Sequence, residues 1–176
     1  MKPHTFFLAS LIVVLLSGCA TLTQDIRVET ETAPGIDPAT YQTYGWLLSA
    51  EVVNDPNGNW EPPGFDADAE LRFLINQELR DKGLKEVSRQ PDLLVAFAAG
   101  INMEVFKINM QPGSEMYTLT NVPKGALVVV MIDSNNRNPV WAGSAVGDVK
   151  TGRPSNEVSQ RLAYAVKTMF SGFRQQ

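Results

Sequence analysis

Apolar and polar positions along this chain repeat with two different periods, and the change of period divides it into strands and helices. Ile26, Val28 and Thr30 alternate with Arg27, Glu29 and Glu31; a period of two predicts a half-buried strand. Pro34-Gly35 ends it, and residues 41–48 resume as a second strand of aromatic and branched side chains. Residues 49–65, rich in Asn, Asp, Gly and Pro, read as a loop. Leu71, Leu74, Ile75 and Leu79 then recur at helical spacing, with Asp66 placed to cap the helix and Gly83 to end it. Residues 84–87 read as a short strand, and the apolar run over 93–99, opened by Pro91-Asp92, predicts another. Residues 101–110 continue extended, Pro112-Gly113 suits a type II turn, and residues 116–120 return as the second arm of a hairpin. Residues 126–132 are apolar at every position, as in a central strand covered on both faces. A strand over 140–149 follows. Val158, Leu162, Ala165, Val166, Met169, Phe170 and Phe173 then mark one face of a closing helix. Pro154 fits its first turn, and Arg161 and Lys167 lie on its polar face.

The N-terminus follows a different pattern. Lys2 precedes an apolar run over 6–16, too short for a spanning helix of about 20 residues but suited to a signal-peptide core. Leu16-Ser17-Gly18-Cys19 closes that run and resembles the lipobox of bacterial lipoproteins, where cleavage precedes a cysteine that is then lipidated. The resemblance implies a signal peptide over 1–18, a lipidated tether over 19–25 and one domain over 26–173. Ala20, in place of an aspartate, favours the outer membrane with the domain facing the periplasm. The tether is short, reaching at most ~20 Å at ~3.3–3.6 Å per residue.

Composition narrows the chemistry. Cys19 is the only cysteine, and the single histidine, His4, leaves with the signal peptide. The processed chain then lacks His-dependent triads, Cys–His nucleophiles and His/Cys zinc sites. The formal net charge is −4, one unit more negative without Lys2, and no basic cluster argues for nucleic acid. Asn54-Asp55-Pro56-Asn57-Gly58-Asn59 lacks the spacing and closing glutamate of an EF-hand, so no metal is expected there. Asp66, Asp68 and Glu70 suit the first turn of a helix through its dipole.

Several segments together resemble one family of bacterial lipoproteins. They are Tyr41-Gln-Thr-Tyr-Gly-Trp-Leu47, Gln90-Pro-Asp-Leu-Leu-Val-Ala-Phe97, Gly125-Ala-Leu-Val-Val-Val-Met-Ile-Asp133, Asn138-Pro-Val-Trp-Ala-Gly-Ser-Ala145 and the closing Ala165-Val166…Met169-Phe170. In that order they are similar to the family called domain of unknown function 4136, over approximately residues 26–173. Ala142 departs from the pattern, since members often carry arginine there, and so does the long excursion over 101–120. The resemblance implies an α+β fold, a mostly antiparallel sheet of about six to seven strands with two principal helices packed on it. It implies no reaction and no cofactor. Trp46 and Trp141 read as core aromatics.

The expected function is therefore a non-enzymatic binding or structural role in the cell envelope. The membrane is reached through acyl chains on Cys19, with an envelope protein or cell-wall component as possible partner. A carrier of a small apolar ligand is the alternative, and a carboxylate-dependent hydrolase using Asp133 and Asp148 a third. No residue is singled out as catalytic. Phe106, Ile108 and Met110 share one strand face with Met116 close in the returning arm, and form the candidate interaction surface. The other reading of this arm folds it over the sheet to complete the core.

Overall fold

The computed structural model describes residues 22–47, 62–104, 107–110, 117–120, 123–150 and 152–174, with backbone only over 101–124. Among the described residues eight strands and two α-helices follow in the order β1 (Arg27–Thr32), β2 (Thr43–Trp46), α1 (Ala67–Asp81), β3 (Lys85–Glu86), β4 (Leu93–Glu104), β5 (Lys107–Met110), β6 (Tyr117–Thr120), β7 (Pro123–Asp133), β8 (Pro139–Val146) and α2 (Ser155–Ser171). Six strands form one sheet in the order β1-β8-β7-β4-β2-β3, and β5 and β6 form a separate two-stranded ribbon. The fold is α+β, as expected. The sheet is mixed: β1, β8, β7 and β4 pair antiparallel, whereas β2 is parallel to both β4 and β3. The parallel pairs arise because α1 carries the chain back between β2 and β3, as a crossover requires.

Alternation along the strands decides which face is buried. Val95 pairs with Met131, Phe97 with Val129 and Ala99 with Leu127, and all are buried beneath the helices. Across β8 the same row continues through Ala145, Gly143 and Trp141. A register shift beside Ile132 lets the consecutive residues Val140 and Trp141 both be buried. β7, apolar throughout 126–132, is a central strand, between β8 and β4. Its opposite-facing neighbours Leu94, Ala96, Ala98, Val130 and Ala142 are half-buried. The edge strand β1 is mostly exposed; Val28 alone along it is half-buried.

Both helices pack on one face and run parallel. Ser159 Oγ donates to Glu70 Oε1 at 2.5 Å, and Lys82 Nζ donates to the Ser171 carbonyl at 3.4 Å, each pair 89 residues apart. Asp66 caps α1, its carboxylate accepting from the Ala69 N–H at 2.9 Å. Pro154 sits one position earlier than expected, as the N-cap of α2. Gly143 is required where α2 crosses β8, because an added Cβ would lie 2.6 Å from the Trp141 ring and 3.0 Å from Met169 Sδ. Trp141, Phe170 and Phe173 then form one aromatic cluster, with centroids 5.0, 5.5 and 6.0 Å apart. Trp46 is only half-buried, its ring edge-on to Phe97 and covered by the Arg72 guanidinium at 4.7 Å. Asn76 of α1 accepts from both the Tyr44 hydroxyl (2.8 Å) and Trp46 Nε1 (3.2 Å), joining β2 to the helix. Burial pushes the Tyr44 hydroxyl pKa up to about 12, so it remains a donor at any physiological pH.

Phe170 is fully buried at the centre of that cluster. Phe170→Ala should therefore cost about 3–5 kcal/mol, lowering the melting temperature by roughly 10 °C. Thermal denaturation followed by circular dichroism checks this; an unchanged midpoint would show that α2 does not supply the core.

Candidate functional site

The two ends of the sheet differ in what the chain has built there. At one end β1 begins, β8 stops and α2 starts, and the residues preceding β1 are fixed by a single side chain. Arg161 Nη1 and Nη2 donate to Asp25 Oδ1 (2.7 Å) and Oδ2 (2.6 Å). The same guanidinium also donates to the Leu22 carbonyl, and to that of Asp148 at 3.2 Å. Asp25 Oδ2 in turn accepts from the Asp148 N–H at 2.6 Å. Gly147 makes room for this contact, since a Cβ there would lie 2.9 Å from Arg161 Nη2. These hydrogen bonds from Arg161 hold the Asp25 carboxyl well below the usual carboxylate range, against an opposing push from burial.

Arg161 was expected on the solvent face of α2. Its side chain is instead only 11% exposed, because the tether lies across it. The tether is correspondingly shorter than the sequence suggested. Leu22 to Asp25 belong to the folded unit, bound to Arg161 through the Leu22 carbonyl and the Asp25 carboxylate. Behind the clamp lies a cavity of about 70 Å³ between β7, β8 and α2, lined by Ile26, Leu127, Ala145, Val158 and Leu162, with Arg161 at its rim.

The other end holds Asp92 and Asp133. Asp92 Oδ2 accepts from the Gln42 and Thr43 N–H groups and from the Thr43 hydroxyl, each at 2.9 Å. Asp133 accepts from the Tyr41 hydroxyl (3.0 Å) and from the Asn135 (2.8 Å) and Asn136 (3.2 Å) N–H groups. Burial pushes the Asp133 carboxyl up, but these donors outweigh it and leave it below its ordinary value. Arg174 donates to the carbonyls of Lys82, Ala39 and Tyr41 and ties the C-terminal end of α2 to the same corner. The Asn135 and Asn136 bonds close a turn, whereas the others join residues 49 or more apart and hold this corner together.

Asp133 and Asp148 do not meet. Asp133 pairs with Leu93, whereas Gly147 bonds Gly125, so the run of β7 between Gly125 and Asp133 separates them. That is roughly 25 Å at ~3.3 Å per residue, against the ~5–10 Å of a glycosidase pair. Among the described residues no group of three or more His, Cys, Asp or Glu could hold a metal ion. Among them, too, no helix is long and apolar enough to cross a membrane.

Of the expected interaction surface, Ile108 and Met110 lie in β5, paired with Leu119 and Tyr117 of β6. Cys19, Phe106 and Met116 lie outside the described residues, as does Pro112-Gly113. The Asp25–Arg161 pair escaped sequence reasoning because its members are 136 residues apart. The available signal was an arginine flanking the apolar stripe of α2 beside Val158, Leu162 and Ala165.

A family model described as a domain of unknown function, DUF4136, matches residues 28–173. A DUF4136 family protein from Bacteroides thetaiotaomicron has a similar structure, with a TM-score of 0.57 at 10% identity over 84% of this chain and 95% of that one. A PelC dodecamer from Paraburkholderia phytofirmans gives a TM-score of 0.44 at 12% identity, over 86% and 99% of the two chains. A comparison with curated proteins gives no match.

Asp25→Asn removes the charge but not the shape of the clamp. Above about pH 4 it should cost about 1–3 kcal/mol, since Arg161 then lacks its counter-charge. Asp25 has a depressed folded pKa, so its contribution is present above the unfolded pKa and is lost as pH falls through the folded one. The gap in melting temperature between the two proteins should therefore narrow steadily below pH 4. A gap that is absent at pH 7, or constant into acid, would contradict the clamp.

Proposed function

The chain belongs to the family described as domain of unknown function DUF4136, and we propose that it is a lipid-anchored envelope lipoprotein with a non-enzymatic binding or structural role. The observation that carries this reading is the Leu16-Ser17-Gly18-Cys19 motif behind a short apolar run, with Cys19 the only thiol of the chain. The protein is anchored to the outer membrane through acyl chains on Cys19 and faces the periplasm. The clamp supports the reading by holding the domain within a short reach of that residue. The absence of histidine and free thiol after cleavage supports a role without catalysis.

The cavity behind the clamp favours a second reading, carriage of a small apolar ligand. At about 70 Å³ it is less than half the ~150 Å³ of an engineered cavity that holds benzene. It would accept a few carbons of a chain and not a whole lipid, so the structural or binding role is the better supported.

Cys19→Ala should leave the protein as unprocessed precursor without lipid. Mass spectrometry of the N-terminal fragment, with membrane fractionation, reads the outcome. A variant that still matures and fractionates with the outer membrane would contradict the anchor.

A further inference from the structure

The tether and the hairpin leave the sheet at the same end. β4 and β7 remain paired as far as Met103 with Lys124 and Glu104 with Pro123. Lys107 opens β5 three residues after Glu104, and Thr120 closes β6 three residues before Pro123. At this same end Gly147 donates its N–H to the Gly125 carbonyl, and Asp148, next in the chain, bonds Asp25. The ribbon therefore starts from the end of the sheet at which Arg161 fixes Leu22.

Pairing gives the ribbon two unlike faces. Ile108 is opposite Leu119 and Met110 opposite Tyr117, so strand alternation places these four positions on one face. Lys107, Asn109, Thr118 and Thr120 share the other. A lone two-stranded ribbon is at best marginally stable in water and needs a further surface against its apolar face.

We propose that the face formed by Ile108, Met110, Tyr117 and Leu119 docks on the lipid surface that holds Cys19. This rests on the lipoprotein reading above. The length of chain left outside the folded unit selects the occupant. Cys19 to Thr21 allow at most ~10 Å between Leu22 and the lipid, and the ribbon starts from that same end of the sheet, the four residues of β5 alone spanning ~10 Å. A lipid held at Cys19 lies at the end of the sheet from which the ribbon starts. Tyrosine is enriched at the headgroup level of membranes, and methionine adapts to irregular apolar surfaces.

The test uses the full, lipidated protein in phosphatidylethanolamine–phosphatidylglycerol vesicles. Met110→Cys, Thr118→Cys and Asn135→Cys are each labelled with an environment-sensitive fluorophore, Cys19 being blocked by its lipid. Lipids carrying a quencher should extinguish most of the Met110 signal, less of the Thr118 signal, and none at Asn135, which lies beyond Asp133 at the opposite end. Leu119→Cys, on the same face as Met110, serves as the reporter if Met110→Cys does not accumulate. Equal responses at Met110 (or Leu119) and Asn135, in a chain that carries lipid and floats with vesicles, overturn the ribbon docking and leave the anchor standing. A chain that carries no lipid and does not float overturns the anchor, and the docking with it.

Discussion

The Arg161 guanidinium joins the start of the domain to its last helix, and the placement of everything else at that end follows from it. Two nitrogens face two carboxylate oxygens at 2.6 and 2.7 Å, with two backbone carbonyls taking further N–H groups. A guanidinium this enclosed tolerates burial only because its donors are satisfied and its charge is matched. Removing the carboxylate would leave a poorly hydrated cation against the apolar row of α2. The pair therefore fixes where the tether leaves the fold, together with Ile26 and Val28, which pack against the core.

From that fixed point the molecule acquires a direction. Both helices run from the tether end toward the corner held by Arg174, and their shared apolar face covers one side of the sheet. The polar groups of the far corner are taken up by the bonds of Asp92 to Thr43 and by the turn at Asp133. The tether end carries what is left to account for: a clamp, a small apolar cavity and an amphipathic ribbon. An anchor at Cys19 would bring all three to a membrane surface at once.

Much of this was legible in the sequence because it rests on local periodicity. The stripe from Val158 to Phe173 gave α2, the Asp66 to Gly83 interval gave α1, and the unbroken apolar run over 126–132 placed β7 at the centre of the sheet. What periodicity does not contain is direction and partnership. The parallel pairing of β2 with β3 and β4 depends on the path of a crossover, which local pattern does not encode. The clamp joins residues far apart in sequence, and an arginine beside an apolar stripe reads by default as solvated. Asp133 and Asp148 looked comparable as residues ending strands; only the strand directions show that they end at opposite edges of the molecule. Cys19 was legible as an address through its motif, and a motif of that kind names no activity.

The central proposal is that the tether end faces the bilayer, so that strands running away from that end stand upright on it. Neutron reflectometry of the lipidated protein on a supported bilayer measures this directly. The account predicts a protein layer as deep as the strands are long, ~36 Å for the eleven residues of β7 alone at ~3.3 Å each, with the turn at Asn135 farthest from the lipid. A layer only as thick as the sheet and its helices, lying flat on the headgroups, would contradict it.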